Sequence, residues 1–215
     1  MSTGKAPLKL GTIIVELSQY VLKAHRRDAE FVLYRSEQSN QPGSPSVFLL
    51  TPASMQPALE TIKKIEHEYS LRDELDSAWA VRSLALSEPR GQVTLVLEDP
   101  GGETLDRFPP GPMEMTRFLR FAIGIATALS GLHEKGLIHK DVKPANVLVS
   151  PATGQARLMG FGIASRLPRE RQALEPPEFI AGTLPYMAPE QTGRMNRSID
   201  SRSDLYALGV TFSKC

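Results

Sequence analysis

The chain has 215 residues, enough for one domain or for two small lobes sharing a core. Its content of 41% hydrophobic and 23% charged residues suits a soluble globular protein and excludes whole-chain disorder. Lysine and arginine total 25 against 24 acids, a formal net charge of +1, so nothing electrostatic points to nucleic acid or an anionic membrane. One cysteine, Cys215, excludes a disulfide framework and a cysteine-based zinc site. No charged-then-apolar leader opens the chain, and its longest weakly polar run, Phe121 to Leu132, falls short of the ~20 residues a membrane span needs. These features predict a cytoplasmic protein with no nucleic-acid or membrane partner.

Residues 1–19 read as an N-terminal arm, with Gly4, Pro7 and Gly11 among basic residues. Residues 30–35 and Ser46–Leu50 are β-rich runs around the turn-forming stretch Ser39–Ser46, which predicts a hairpin. A helix follows over about 58–75, with Ile62, Ile65 and Tyr69 on one face. Val93–Leu97 is a third β-run, and a Gly/Pro-rich connector occupies 100–112. The strongest helical pattern is 113–134, where Phe118, Ala122, Ile125, Leu129 and Leu132 recur at spacings of 4, 3, 4 and 3 before a stop at Gly136. Short strands are expected at Leu137–Ile138, Val147–Val149 and Ala156–Met159. Residues 163–190 lack periodicity and hold five prolines, the mark of a long functional loop. The run 205–212 is apolar nearly all round, as a buried helix would be.

The chemistry-bearing stretch is His139-Lys140-Asp141-Val142-Lys143-Pro144-Ala145-Asn146. An acid, a lysine two residues on and an amide five residues on, set between two β-runs, suit phosphoryl transfer. The carboxylate of Asp141 can accept a hydroxyl proton, Lys143 can neutralise the moving phosphoryl group, and the Asn146 oxygen can hold a metal. A polar turn whose Asp and Asn satisfy backbone donors is the structural alternative. The near-fingerprint Gly160-Phe-Gly162-Ile-Ala-Ser165 is followed by Arg166-Leu-Pro168 rather than a helix, which argues against dinucleotide binding.

Three further motifs follow in order: Met159-Gly160-Phe161-Gly162, Gly182-Thr-Leu-Pro-Tyr-Met-Ala-Pro-Glu190, and Ser203-Asp204-Leu205-Tyr206. Their order and spacing resemble the C-lobe of eukaryotic-like Ser/Thr protein kinases: the H-R-D-x-K-x-x-N loop, the D-F-G turn, the A-P-E segment and an acidic helix start. The resemblance covers about residues 20–215 and is strongest from 113 onward. Gly162-Ile-Ala-Ser-Arg166 and Tyr186-Met-Ala-Pro-Glu-Gln-Thr-Gly-Arg-Met-Asn-Arg197 look most like the kinase domain heading very large bacterial signalling proteins, which continue into ATPase, GAF and histidine-kinase modules. Aminoglycoside-type kinases share an acid-to-amide loop but lack the Ala-Pro-Glu segment.

The resemblance implies an α+β, protein-kinase-like two-lobe fold: an N-lobe over 20–99, a hinge over 100–112, and over 113–215 a helical C-lobe lacking its last helices. It implies ATP-dependent phosphorylation of Ser or Thr on a protein, with Asp141 as base, Lys143 on the γ-phosphate and Asn146 on Mg²⁺. Leu97, Glu98, Pro100, Glu68 and Leu148 become the nucleotide-contact candidates, and Gly182–Tyr186 the substrate platform. Ser165, Thr183 and Ser198 are candidate phosphorylation sites, and His139 and Asp204 are expected to be scaffold residues.

Departures from the pattern bear on mechanism. Gly160 stands where the metal-binding acid belongs, and Thr51 aligns with the strand lysine that should pair with Glu68. Glu68 is therefore expected to be a solvated helix carboxylate. The phosphate-covering stretch Ala24–Glu30 contains no glycine, Pro100 removes a backbone donor at the hinge, and Lys140 replaces the arginine beside the catalytic acid. Losing one preorganised charge-stabilising group costs about 10²–10³ in rate, so these departures predict weak or absent turnover. The alternative is a pseudokinase, a binding or regulatory module whose partner is a protein rather than a substrate. The helix at 205–212 is expected to need cover from a partner or further chain, and Glu190 to lack the basic partner that a complete C-lobe implies.

Overall fold

The computed structural model describes residues 8–10, 13–15, 20–38, 46–109, 111–166, 182–193 and 198–213. They fall into two compact units, Met1–Asp73 with Val81–Pro100 and Glu74–Ala80 with Gly101–Cys215.

In the first unit, β1 (Leu8–Leu10) and β2 (Ile13–Val15) form an antiparallel pair inside the expected arm. The main sheet contains β3 (Tyr20–Arg27), β4 (Phe31–Gln38), β5 (Val47–Pro52), β6 (Ser83–Ser87) and β7 (Thr94–Glu98). All neighbours are antiparallel in the order β3-β4-β5-β7-β6. The expected hairpin is β4–β5, with Leu33 opposite Leu50. Leu95, Val96 and Leu97 are all buried, because the central strand is covered on both faces. β3 carries Lys23, Arg26 and Arg27 on an exposed edge, and β6 is small and polar at its ends, so neither has an apolar alternation that sequence could reveal. Helix α1 (Leu59–Ser70) buries Thr61, Ile65 and Glu68, and stops five residues earlier than its apolar pattern suggests.

After α1 the chain leaves this unit. Residues 74–80, expected within the N-lobe, belong to the second unit: Leu158 N–H donates to the Trp79 carbonyl (2.8 Å) and Arg157 Nε to the Ser77 carbonyl (2.5 Å). Trp79 lies against Gly131 so closely that a Cβ there would sit 2.4 Å from the indole.

The second unit holds β8 (Glu103–Thr104), helix α2 (Met115–Glu134), β9 (Leu137–Ile138), β10 (Val147–Val149), β11 (Ala156–Leu158), β12 (Ser165–Arg166) and helix α3 (Ser201–Phe212). Strands order as β11-β10-β8 and as β12-β9. The connector expected as loop thus supplies a strand to β10. α2 starts two residues later than expected because extended Glu114 is its N-cap, accepting from Thr116 and Arg117 N–H. Those same bonds hold the Glu114 carboxyl below its ordinary pKa. α2 ends at Gly136, whose φ of +73° satisfies the left-handed stop. It buries Phe121, Ile125, Ala128, Leu129 and Leu132, and Phe118 meets Phe212 of α3 edge-on. Much of the expected 163–190 loop, residues 167–181, lies outside the described residues.

Candidate active site

Two strand pairs and two helices of the second unit aim one loop. β9 delivers the chain to His139 and β10 takes it away after Asn146, so residues 139–146 are pinned at both ends. Asp204, in the first turn of α3, is fully buried and organises the loop from beneath. Its carboxylate accepts from His139 N–H (2.9 Å) and Lys140 N–H (2.8 Å), and lies 2.9 Å from His133 Nε2 on α2. Satisfying a buried charge with two backbone donors and an imidazole is what makes its burial tolerable.

His139 is also buried and bonds backbone. Asp141 N–H can only donate, so His139 Nδ1 accepts from it (3.3 Å) and Nε2 donates to the Met159 carbonyl (3.1 Å). The ring is therefore neutral, and burial pushes its pKa down against the pull of Asp204 and Asp141. Phe161 packs against it with ring centroids 4.8 Å apart. Lys140 has φ of +68°, the one non-glycine residue with positive φ among the described residues. Burial lowers its pKa as well.

Asp141, Lys143 and Asn146 come together. Lys143 Nζ lies 2.8 Å from Asp141 Oδ2 and donates to Thr183 Oγ1 (2.6 Å), while the Thr183 hydroxyl donates to Asp141 Oδ1 (2.7 Å). Asn146 Nδ2 donates to the Asp141 carbonyl (2.8 Å) and to Oδ2 (2.9 Å). The result is a carboxylate of fixed orientation with a cation beside it, still 15% exposed, able to take a proton from an incoming hydroxyl. Thr183, a candidate phosphorylation site by sequence, is instead bound into this constellation. Gln191 was not legible as a site residue: it donates from Nε2 to the Lys140 carbonyl (2.8 Å). Glu190 is buried and accepts from Ser203 Oγ (2.7 Å).

Magnesium prefers octahedral oxygen coordination that includes carboxylates. Asn146 offers one neutral amide oxygen, Gly160 offers none, and both Asp141 oxygens already accept hydrogen bonds. No group of three His, Cys, Asp or Glu gathers among the described residues. This donor set does not fit the ion that the resemblance assigns to Asn146. Gly160 has φ of +82°, and a Cβ on it would lie 3.0 Å from three atoms of the Asn146 side chain.

The remaining nucleotide candidates lie elsewhere. Leu148 is buried in β10, paired with Thr104. Leu97, Glu98, Pro100 and Glu68 belong to the first unit. Leu97 is buried and Glu98 accepts from Arg82 N–H (3.1 Å) and Nε (3.2 Å). Glu68 is 2% exposed, which corrects the expectation of a solvated carboxylate: it sits on the inner face of α1 with Ile65. No residue of β5 carries an ammonium, so the strand lysine is missing whichever of Leu50 or Thr51 is aligned with it. Where the phosphate loop was sought, β3 continues to Arg27. A tight turn follows, closed by Asp28 Oδ1 accepting from Glu30 and Phe31 N–H. The Glu30 carboxylate accepts from Lys64 Nζ (2.7 Å) and Thr61 Oγ1 (3.0 Å), tying that turn to α1.

A five-stranded antiparallel sheet with one helix, and a helical unit presenting an Asp-x-Lys-x-x-Asn loop over a buried aspartate, define a protein-kinase-like α+β fold. The comparison with known families agrees: residues 52–215 match the protein kinase domain, and the chain belongs to that family. The chain is 36% identical over 152 residues to the serine/threonine-protein kinase pkn2 of Myxococcus xanthus, covering 69% of this chain and 18% of that protein. It is 38% identical over 99 residues to the serine/threonine-protein kinase PknB of Mycobacterium tuberculosis, covering 46% and 15%. It is 32% identical over 168 residues to the peroxide stress-activated histidine kinase mak2 of Schizosaccharomyces pombe, covering 69% and 7%. The chain thus spans less than a fifth of each of these relatives. No helix among the described residues is long and apolar enough to cross a membrane.

Proposed function

We propose that the chain is a Ser/Thr-protein-kinase-type signalling domain with impaired ATP-dependent phosphoryl transfer, heading a larger cytoplasmic protein. The observation that carries the reading is the Asp141–Lys143–Thr183–Asn146 constellation. In the transfer step a substrate serine or threonine hydroxyl loses its proton to the Asp141 carboxylate as its oxygen bonds the γ-phosphorus. The bond from that phosphorus to the β-bridging oxygen breaks and ADP leaves. Lys143 offsets charge on the transferred group. The roles of Leu97, Glu98, Pro100, Glu68 and Leu148 as nucleotide contacts belong to this proposal, as does a protein partner or further segment covering α3, where Leu205 and Tyr206 are exposed. The multi-module context is supported by the similarity to a relative named as a histidine kinase.

A second reading, a pseudokinase acting as an interaction module, is favoured by one specific observation: no carboxylate stands beside Asn146. The test is phosphate transfer from labelled ATP to a generic basic protein, wild type against Asp141→Asn. Transfer above background that Asp141→Asn abolishes supports the kinase reading. Transfer that persists in Asp141→Asn would refute the role given to Asp141, and none at all in folded protein leaves the pseudokinase.

A further inference from the structure

We infer that Gln191 is a positioning residue for Asp141, a role that rests on the proposed chemistry of the loop. The peptide plane between Lys140 and Asp141 is held from both ends. Its carbonyl accepts from Gln191 Nε2 (2.8 Å), and its N–H donates to His139 Nδ1 (3.3 Å). That plane follows directly on Lys140, whose φ of +68° is a strained conformation for a lysine. A strained residue persists only where its surroundings over-determine it. Asp204 fixes the Lys140 N–H (2.8 Å), and Gln191 fixes the Lys140 carbonyl.

The orientation of the Gln191 amide is itself determined. Oε1 accepts from Ala188 N–H (3.1 Å), so Nε2 is the end that meets the carbonyl. The side chain is 3% exposed, which removes water as a substitute donor. Gln191 therefore links the Ala188-Pro189-Glu190 turn to the loop 51 residues earlier in sequence. It touches neither Asp141 Oδ1 nor Oδ2, and acts by setting the plane from which the Asp141 side chain departs.

The test uses the full chain with Gln191→Glu and Gln191→Met. The glutamate keeps the acceptor for Ala188 and loses the donor for Lys140, isolating one bond. Backbone amide exchange by NMR is the first readout. The Asp141 amide should exchange about tenfold faster in both variants, while Ile125 and Leu129 in the α2 core stay within about twofold of wild type. Where wild type shows Asp141-dependent transfer, kcat should fall about tenfold with KM for ATP and protein substrate unchanged. Unchanged Asp141 exchange overturns the inference, and so does equal acceleration at Ile125 and Leu129, which would mean ordinary loss of fold stability. If wild type shows no such transfer, the kinase reading fails by itself, and the exchange comparison still decides whether Gln191 holds this peptide plane.

Discussion

Replacing Gly160 with aspartate restores the carboxylate that the family pattern places beside Asn146, and the structure sets what that substitution costs. The backbone there has φ of +82°, where aspartate is tolerated better than most residues, at about 1 kcal/mol. The new Cβ would stand 3.0 Å from Asn146 Cγ, Nδ2 and Oδ1, so the amide must shift by a few tenths of an ångström. That shift falls on its bonds to the Asp141 carbonyl and Oδ2, at 2.8 and 2.9 Å, and weakening one of them costs up to about 1 kcal/mol. Gly160→Asp should therefore lose about 1–2 kcal/mol without ligand, lowering the thermal midpoint by about 2–8 °C for a chain of this size. Gly160→Ala carries the same strain without the carboxylate. Thermal unfolding of wild type and both variants is measured with ATP across a series of Mg²⁺ concentrations. The aspartate variant alone should gain a Mg²⁺-dependent rise, reaching about 2.7 kcal/mol at a hundredfold excess over Kd. Identical Mg²⁺ responses in the aspartate and alanine variants would refute the placement of the metal-binding position at Gly160. An unshifted midpoint without ligand would refute the strain argument.

Two further outcomes follow from buried charge. His139 is neutral in the fold with its pKa held below the ordinary histidine value, so the unfolded chain takes up a proton first as pH falls. The stability contribution is complete above about pH 6.5 and declines below it, with a slope of at most about 1.4 kcal/mol per pH unit. Urea unfolding at stepped pH should show this decline, and His139→Gln should flatten it; an unchanged slope in that variant would assign the effect to another group. In the first unit, Arg35 makes a bidentate pair with Asp99, Nε to Oδ2 and Nη2 to Oδ1 at 2.6 Å each, and Ser46 Oγ adds a third bond. The Asp99 side chain is wholly buried, so Arg35→Met should cost about 3 kcal/mol in denaturant unfolding. The double variant Arg35→Met with Asp99→Asn should recover part of that loss. Additive losses would mean the pair contributes no coupling.

The sequence carried the loop chemistry by itself. Asp141, Lys143 and Asn146 lie within six residues, so one loop between two short strands is enough to bring them together, and local spacing predicts that meeting. The long periodic helix α2, the β4–β5 hairpin and the Gly136 stop are local in the same sense. Residues whose roles depend on distant partners were not legible. Nothing near Gln191 names the Lys140 carbonyl, 51 residues away, and Thr183 reads as an ordinary loop hydroxyl until folding sets it between Asp141 and Lys143. Glu68 looked solvated because a carboxylate on an amphipathic helix usually is, and only packing turned it inward beside Ile65. Trp79 and its neighbours followed a helix of the first unit in sequence but packed with the second, since Gly131 leaves room for the indole and Leu158 needs a partner for its N–H. The edge strand β3 lacked apolar alternation because its side chains face solvent, and its identity comes from the hydrogen bonds it shares with β4. Sequence thus determined which chemical groups are available and in what order. Tertiary structure decided which of them are desolvated and paired, because burial and long-range hydrogen bonds are properties of segments brought together, not of either segment alone.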